Sequence, residues 1–207
     1  MTYKDKTPEI RQRLLEAAGE VFAERGFRDA TIREICERAS ANVAAVNYHF
    51  GEKEELYRAV FEYAHDYAPR MDEAALAAGS TEQQLRVFIH MALTRLFHEG
   101  RPAWLGRLVA QEMINPTKML DGLVMRQIRP NLERLKAIVR AALPAETNDE
   151  TLRLCTHSVA AQWLFYFHSG QVIRRLNPDQ RFGPSEIQRL ADHITKFSIT
   201  ALKGLQS

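Results

Sequence analysis

Apolar residues recur at helical spacing along almost the whole chain, and no segment alternates apolar and polar residues between turn signals as a half-buried strand would. That pattern predicts an all-α fold. Ile10, Leu14, Ala17, Ala18, Val21 and Phe22 form the inner stripe of a first helix, with Thr7 as its N-cap and Pro8 at the first helical position. Gly26 is the expected C-terminal cap. Thr31 with Glu34 three residues on reads as a capping box opening a second, short helix, whose inner face is Ile32, Ile35 and Ala39. After the turn Ala39-Ser40-Ala41-Asn42, Asn42 caps a third helix from Val43.

Beyond Gly51 the helices lengthen. One is expected over 52–77 with Leu56, Val60, Tyr63 and Tyr67 on one face, ended by Gly79-Ser80. Ser80 with Gln83 opens the next, which carries Leu85, Phe88, Ile89, Leu93, Leu96 and Phe97 up to Gly100-Arg101-Pro102. Asn115-Pro116, Pro144, Asn177-Pro178 and Gly183-Pro184 bound the later helices, and Pro130 is expected to kink the one that contains it. No internal repeat or low-complexity linker appears. A small domain at 1–51 is therefore expected to join a larger helical domain at 52–207 through the fourth helix, without a flexible tether.

Bulk charge decides nothing here. A net charge of +2 is too weak to argue for nucleic acid or an acidic membrane surface by bulk attraction. Cys36 and Cys155 lie far apart with no CxxC or Cys/His spacing, which predicts free thiols in a reducing compartment and no zinc site; no metal site or cofactor is assigned. The opening MTYKDKTPE has no apolar signal core, and the longest apolar stretch, Val159 to Phe167, is broken by Gln162 and too short to span a bilayer. A cytoplasmic chain is expected. No Ser/His/Asp set, HExxH or glycine-rich phosphate loop is present, so no catalytic residues are assigned.

A short helix, a turn and a second short helix, steadied by a longer first helix, is the arrangement of a helix-turn-helix DNA reader. Residues 31–49 fit it. The carriers Ala17-Ala18, Phe22, Gly26-Phe27, Thr31-Ile32, Ile35, Ala39 and NYHF followed by KEELY make the block from Thr7 to Tyr57 resemble the DNA-binding domain of TetR/AcrR-family regulators. Further on, LVAQEMINPTKMLDGLVMRQIRPNLERL and AAQWLFYFHSGQVIRRL are similar to the subgroup whose C-terminal domain is of the CecR type. The resemblance implies a third helix in the major groove, with Asn42, Val43, Ala44, Ala45 and Asn47 facing bases. It also implies that Tyr48 and His49 touch phosphate or the nearest base edge, that Lys53 contacts phosphate, that Arg33 reaches the groove, and that the Thr31 backbone N–H meets a phosphate.

Val43, Ala44 and Ala45 have no hydrogen-bonding side chains, so they are expected to touch thymine methyls or to let the helix approach closely. Asn47 is then the best direct reader, because a carboxamide matches the N6 and N7 edge of adenine. Val46 and Phe50 are expected to face inward. Residues 1–57 hold nine Lys or Arg against eleven Asp or Glu, a formal balance of −2. Phosphate affinity must therefore come from a few placed cations, with a salt slope of roughly three or four charges per subunit or fewer. Lys4 and Lys6 are candidates to swing onto the backbone.

In the C-terminal half, His90, Trp104, Gln111, Glu112, Met113, Met125, Gln162, Trp163 and Tyr166 mix aromatic, soft and polar groups, and are the residues from which an effector pocket would be built. Glu112, on an otherwise apolar helix, would be costly if buried without a partner; a nearby Arg, exposure to solvent or a role as ligand anchor would each resolve this. The helices expected at 151–176 and 184–202 carry an apolar surface too wide for one domain's interior, including Leu152, Cys155, Val159, Ala160, Trp163, Leu164, Phe165 and Phe167. In the family that pair forms a four-helix bundle with a second copy. The reading that follows is a homodimeric repressor of a palindromic operator, released by a small apolar or amphipathic effector. The alternative is a TetR-like DNA-associated or protein-binding chain with no effector.

Overall fold

The computed structural model describes residues 7–66, 72–97 and 102–205, and side chains from Glu9 onward except those of 65 and 66. Among these residues there are twelve α-helices, one π-helical turn and no strand. They fall into two compact units, one of residues 1–68 with 100–122 and one of 69–99 with 123–207. Lys4, Lys6, Tyr67, Gly100, Arg101 and the side chains of Thr7 and Pro8 lie outside the described residues.

The first unit is built on α1 (Thr7–Asp29), whose Leu14, Ala17, Ala18, Val21 and Phe22 are all buried, as the helical stripe requires. At Gly26 the backbone turns to φ 76°, ψ 170°, a conformation that favours glycine, and the helix bends there before Asp29. Next come α2 (Ile32–Ala39) and α3 (Val43–His49), which pack on each other and on α1. Thr31 Oγ1 accepts from the Glu34 backbone N–H at 3.1 Å, one half of the expected capping box, while the Glu34 carboxylate accepts from Arg25 Nε at 3.4 Å. Ser40 then takes the left-handed conformation at φ 49°, and the Ala41 N–H bonds the Cys36 carbonyl at 2.9 Å. This is the turn of the helix-turn-helix. α4 (Lys53–Asp66) buries Leu56, Tyr57, Val60, Phe61 and Ala64, and α7 (Leu105–Ile114) packs along α1.

The second unit holds α5 (Glu73–Ala77), α6 (Thr81–Phe97), the π-helical turn Val124–Ile128, α9 (Arg129–Ala142), α10 (Asp149–His168), α11 (Gly170–Leu176) and α12 (Pro184–Gly204); α8 (Met119–Leu123) ends at the boundary between the units. Leu85, Phe88, Ile89 and Leu93 of α6 meet Leu190, Ala191 and Ile194 of α12 in one apolar core with α9 and α10. Arg86 Nε adds an ion pair to Asp192 Oδ1 at 2.5 Å, exposed and so of small energetic weight. Ser80 and Gln83 make both halves of the expected capping box, the Gln83 N–H to Ser80 Oγ at 3.3 Å and the Ser80 N–H to Gln83 Oε1 at 2.7 Å.

Three boundaries differ from expectation. The helix expected over 52–77 is not one piece: Asp72 is extended at φ −84°, ψ 96° and its Oδ1 caps α5 through the Ala75 N–H at 3.1 Å. Pro69 in the sequence, which has no N–H to give a helix interior, is a local signal against one continuous helix. Pro130 lies in the first turn of α9, directly after the π-helical turn, and Leu123, Ile128 and Arg129 around that turn stay right-handed helical, so the irregularity beside the proline is the π-helical turn Val124–Ile128. Asn131 Nδ2 donates to the Gln127 carbonyl across this junction at 2.8 Å. The helix expected over 151–176 divides at Ser169 (φ −97°, ψ 11°), where Ser followed by Gly is a weak helical pair.

Candidate nucleic-acid interface

Three local devices set the exposed face of α3. Asn42 Oδ1 accepts the Ala45 N–H at 2.9 Å and starts the helix, Val46 is buried against the unit's interior, and Phe50 ends it half-buried. A seven-residue helix anchored by Val46 turns most of its remaining positions outward. Val43, Ala44, Asn47 and Tyr48 are exposed, Tyr48 at 80%, while Ala45 and His49 are half-buried. The ring of His49 lies 5.0 Å from that of Tyr48 and 6.0 Å from that of Phe50. Asn42 belongs to this face too, but its carboxamide oxygen is committed to the helix.

The electrostatics of the head are decided by pairing. Arg38 holds Glu24 in a two-pronged contact at 3.0 and 2.9 Å and reaches Glu20 at 3.5 Å; Arg33 pairs with Glu37 at 2.9 Å, and Arg25 with Glu34 at 3.4 Å. The Arg38 hydrogen bond to Glu24 pushes the Glu24 carboxyl below its ordinary range. Among the described residues, Arg11, Arg13, Arg28 and Lys53 have no carboxylate partner. Two of these lie over aromatic rings: Arg11 Cζ is 5.4 Å from the centroid of Phe50, and Lys53 Nζ is 4.8 Å from that of Phe27. Lys53 Nζ also donates to the Arg28 carbonyl at 3.3 Å, and burial pushes its ammonium pKa down. Thr31 and Arg33 are exposed on the neighbouring helix start.

Behind this face, α1, α4 and α7 are held by carboxylates that accept only from uncharged donors. Glu112 is 1% exposed; its Oε2 accepts from Tyr57 Oη at 2.8 Å, and its Oε1 from the Thr117 N–H at 2.8 Å and Thr117 Oγ1 at 2.9 Å. Burial first, and then Glu112, pushes the Tyr57 hydroxyl pKa far up, so it remains a donor. Glu16 accepts from Trp104 Nε1 at 3.0 Å and from the Tyr63 hydroxyl. The Trp104 ring lies so close to Gly19 that a Cβ there would come under 3.0 Å from it. Sequence reasoning missed both networks because their partners are far apart in the chain. The one sign of them was an acid, Glu112, on an apolar helix, and no arginine meets it.

The nine residues considered for an effector divide between the units. Trp104, Gln111, Glu112 and Met113 are in the first; His90, Met125, Gln162, Trp163 and Tyr166 are in the second. Trp104 is buried, Gln111 is half-buried and Met113 is exposed. In the second unit Trp163 is buried edge-on to Phe88 with centroids 5.9 Å apart, His90 is half-buried, and Met125 is exposed with Arg129 Nη1 3.7 Å from its sulfur. Gln162 donates to Ser198 Oγ at 2.8 Å and, with Tyr166, lines an open groove of about 360 Å³ between α10 and α12, completed by Ala161, Phe165, His193 and Ile194. Leu154, Leu164 and Phe165 on α10 and Phe197 on α12 are exposed. No group of His, Cys, Asp and Glu suited to a metal occurs among the described residues, and no helix there is long and apolar enough to cross a membrane.

Comparison with known proteins matches both halves. Residues 14–60 fit the family described as bacterial regulatory proteins, tetR family, and residues 81–202 fit the C-terminal domain of the HTH-type transcriptional dual regulator CecR. The chain is 27% identical to the dual regulator CecR of Shigella flexneri over 172 residues, 78% of this chain and 77% of that one. It is 30% identical to the transcriptional regulator BetI of Escherichia coli over 148 residues, 68% of this chain and 73% of that one. Among solved structures, the TetR-family regulator PfmR from Thermus thermophilus shares the fold with a TM-score of 0.65 at 19% identity, over 91% of this chain and 95% of that one. The chain belongs to the tetR family of bacterial transcriptional regulators, with a C-terminal domain of the CecR type.

Proposed function

We propose that this regulator is a homodimeric repressor that reads a palindromic operator with α3 and is released by a small apolar or amphipathic effector. The observation that carries the reading is the outward face of α3, on which Asn47 and Tyr48 stand exposed beside the small side chains of Val43 and Ala44. Small residues permit close approach to the groove floor, and Asn47 supplies the hydrogen bonds that distinguish adenine. Tyr48, His49, Lys53, Arg33 and the Thr31 N–H position the helix on phosphates. Residues 1–51 do the reading, and 52–207 supply the sensor and the second copy. Such a protein works in the cytoplasm, where the DNA is.

The second copy seats on α10 and α12. Leu154, Leu164, Phe165 and Phe197 expose apolar surface that one subunit does not cover, and the shallow groove at Phe165 and His193 accepts facing side chains. Two-fold pairing there presents two reading helices to a palindrome. The effector must bind better to the arrangement whose heads miss the half-site spacing, since only differential affinity shifts the equilibrium. Both oxygens of Glu112 already accept hydrogen bonds from Tyr57 and Thr117, so Glu112 serves the interior of its own unit and the polar contacts to an effector fall to other groups.

Footprinting on DNA flanking the chain's own gene, followed by a screen for compounds that abolish the footprint, tests the whole reading. Asn47→Ala should weaken operator binding by about 1–3 kcal/mol per half-site and relax preference at an adenine. Unchanged affinity with unchanged base preference would remove Asn47 from the reading. A footprint indifferent to every compound would favour a regulator without an effector.

A further inference from the structure

We propose that Arg11 is a DNA-backbone anchor, and that Phe50 and Phe27 are positioning residues that hold Arg11 and Lys53, without ion-pairing them, near the C-terminal end of the reading helix. This rests on α3 being the reading helix. The selection is electrostatic. Of the seven Lys and Arg from Arg11 to Lys53, Arg25, Arg33 and Arg38 are paired with carboxylates of the same unit. Each of those cations must give up a partner before it neutralises a phosphate. Arg11 and Lys53 are held differently, by ring faces 5.4 Å and 4.8 Å away. A ring quadrupole attracts a cation without cancelling its charge, and leaves the edge donors of a guanidinium free.

Placement supports the same conclusion. Phe50 is the C-cap of α3, so the ring beneath Arg11 is attached to the helix that carries Asn47 and Tyr48. Phe27 follows the bend at Gly26, and the Arg28 carbonyl adjoining it takes a hydrogen bond from Lys53 Nζ at 3.3 Å. Phe27 is itself fixed by Tyr57, with ring centroids 4.9 Å apart. A head whose acids outnumber its bases thus keeps two positive points where a phosphate backbone would flank α3.

The test uses the full-length chain and the duplex protected in its own footprint, with affinity measured across a salt series. Arg11→Gln should flatten the plot of log affinity against log salt by about 0.9 per subunit, or about 1.8 for a two-subunit site, which is roughly 60-fold weaker binding at 0.1 M. Arg11→Lys should keep the slope. Phe50→Leu should keep the slope while weakening binding by about two- to fivefold per subunit, the size of an exposed cation–π contact. Binding to a scrambled duplex should fall in parallel, because backbone contacts carry no sequence information. An Arg11→Gln slope equal to wild type, or a loss confined to the operator sequence, overturns the proposal. If Arg11→Gln behaves like wild type while Asn47→Ala still alters base preference, the anchor fails and the reading helix stands; a wild-type chain that protects no duplex overturns both.

Discussion

Replacing Glu112 with leucine puts a number on the network behind the reading head. The carboxylate receives three donors, Tyr57 Oη, the Thr117 N–H and Thr117 Oγ1, at 2.8 to 2.9 Å, and both Glu112 and Tyr57 are 1% exposed. Leucine offers no acceptor. The Tyr57 hydroxyl and the Thr117 N–H lose their partner, whereas Thr117 Oγ1 still accepts from the Met119 N–H at 3.1 Å. A buried orphaned donor costs about 1–3 kcal/mol, and Thr117 is only half-buried, so its share falls at the low end; we expect a net loss of about 2–3 kcal/mol. Glu112→Gln should cost less, about 1 kcal/mol, because the carboxamide oxygen still serves Thr117 while the Tyr57 oxygen turns to accept. Tyr57→Phe alone should cost about 1.5–2 kcal/mol by leaving the carboxylate one donor short. In Tyr57→Phe with Glu112→Leu the stranded hydroxyl is gone, so the pair should fall short of additivity by about 1–2 kcal/mol. Urea unfolding followed by circular dichroism measures all four chains. Strict additivity, or a Glu112→Leu chain as stable as wild type, would show that these hydrogen bonds do not hold α4 to α7.

Gly19→Ala should destabilise by about 1–3 kcal/mol in the same assay, because the new methyl would come under 3.0 Å from the buried Trp104 ring and force a shift. Tyr57 also sets an alkaline limit: its pKa is raised in the folded chain, so its contribution is intact below the ordinary tyrosine value near 10 and is lost above it. That loss should run at about 1.4 kcal/mol per pH unit and be absent in Tyr57→Phe. Asn148→Ala removes the acceptor of the Thr151 N–H at 2.8 Å and should cost about 1 kcal/mol of the stability of α10, read by thermal melting. Phe165→Glu places a charge on the exposed face of α10; sedimentation should then give a monomer, and operator affinity should fall with it, whereas a persistent dimer would move the interface elsewhere.

Helical elements and their caps were legible from local chemistry, because a cap is a contact between residues three apart. Thr31, Asn42 and Ser80 act where their spacing put them, and Val46 is buried while Val43, Ala44, Asn47 and Tyr48 face out and Ala45 and His49 are half-buried. The bend at Gly26 follows from the same short-range rules. The break at Asp72 was missed because Leu56 and Val60 set a period that was carried past Pro69 in the sequence. The division at Ser169 was missed for a related reason, since no proline marks it.

The amino-acid order by itself determined the all-α class, the helix-turn-helix and most of the outward residues of α3, which depend on periodicity and neighbours a few positions apart, and its motifs carried the resemblance to the family. Only the tertiary structure decided what became of the charges. It paired Arg25, Arg33 and Arg38 with glutamates, placed Arg11 on Phe50 and Lys53 on Phe27, and surrounded Glu112 with the hydroxyl and amide donors of Tyr57 and Thr117. The physical reason is range. A helix is specified by bonds between residues three or four apart, whereas a charge takes whatever partner the packed chain brings within a few ångströms, and for Glu112 that partner is 55 positions away.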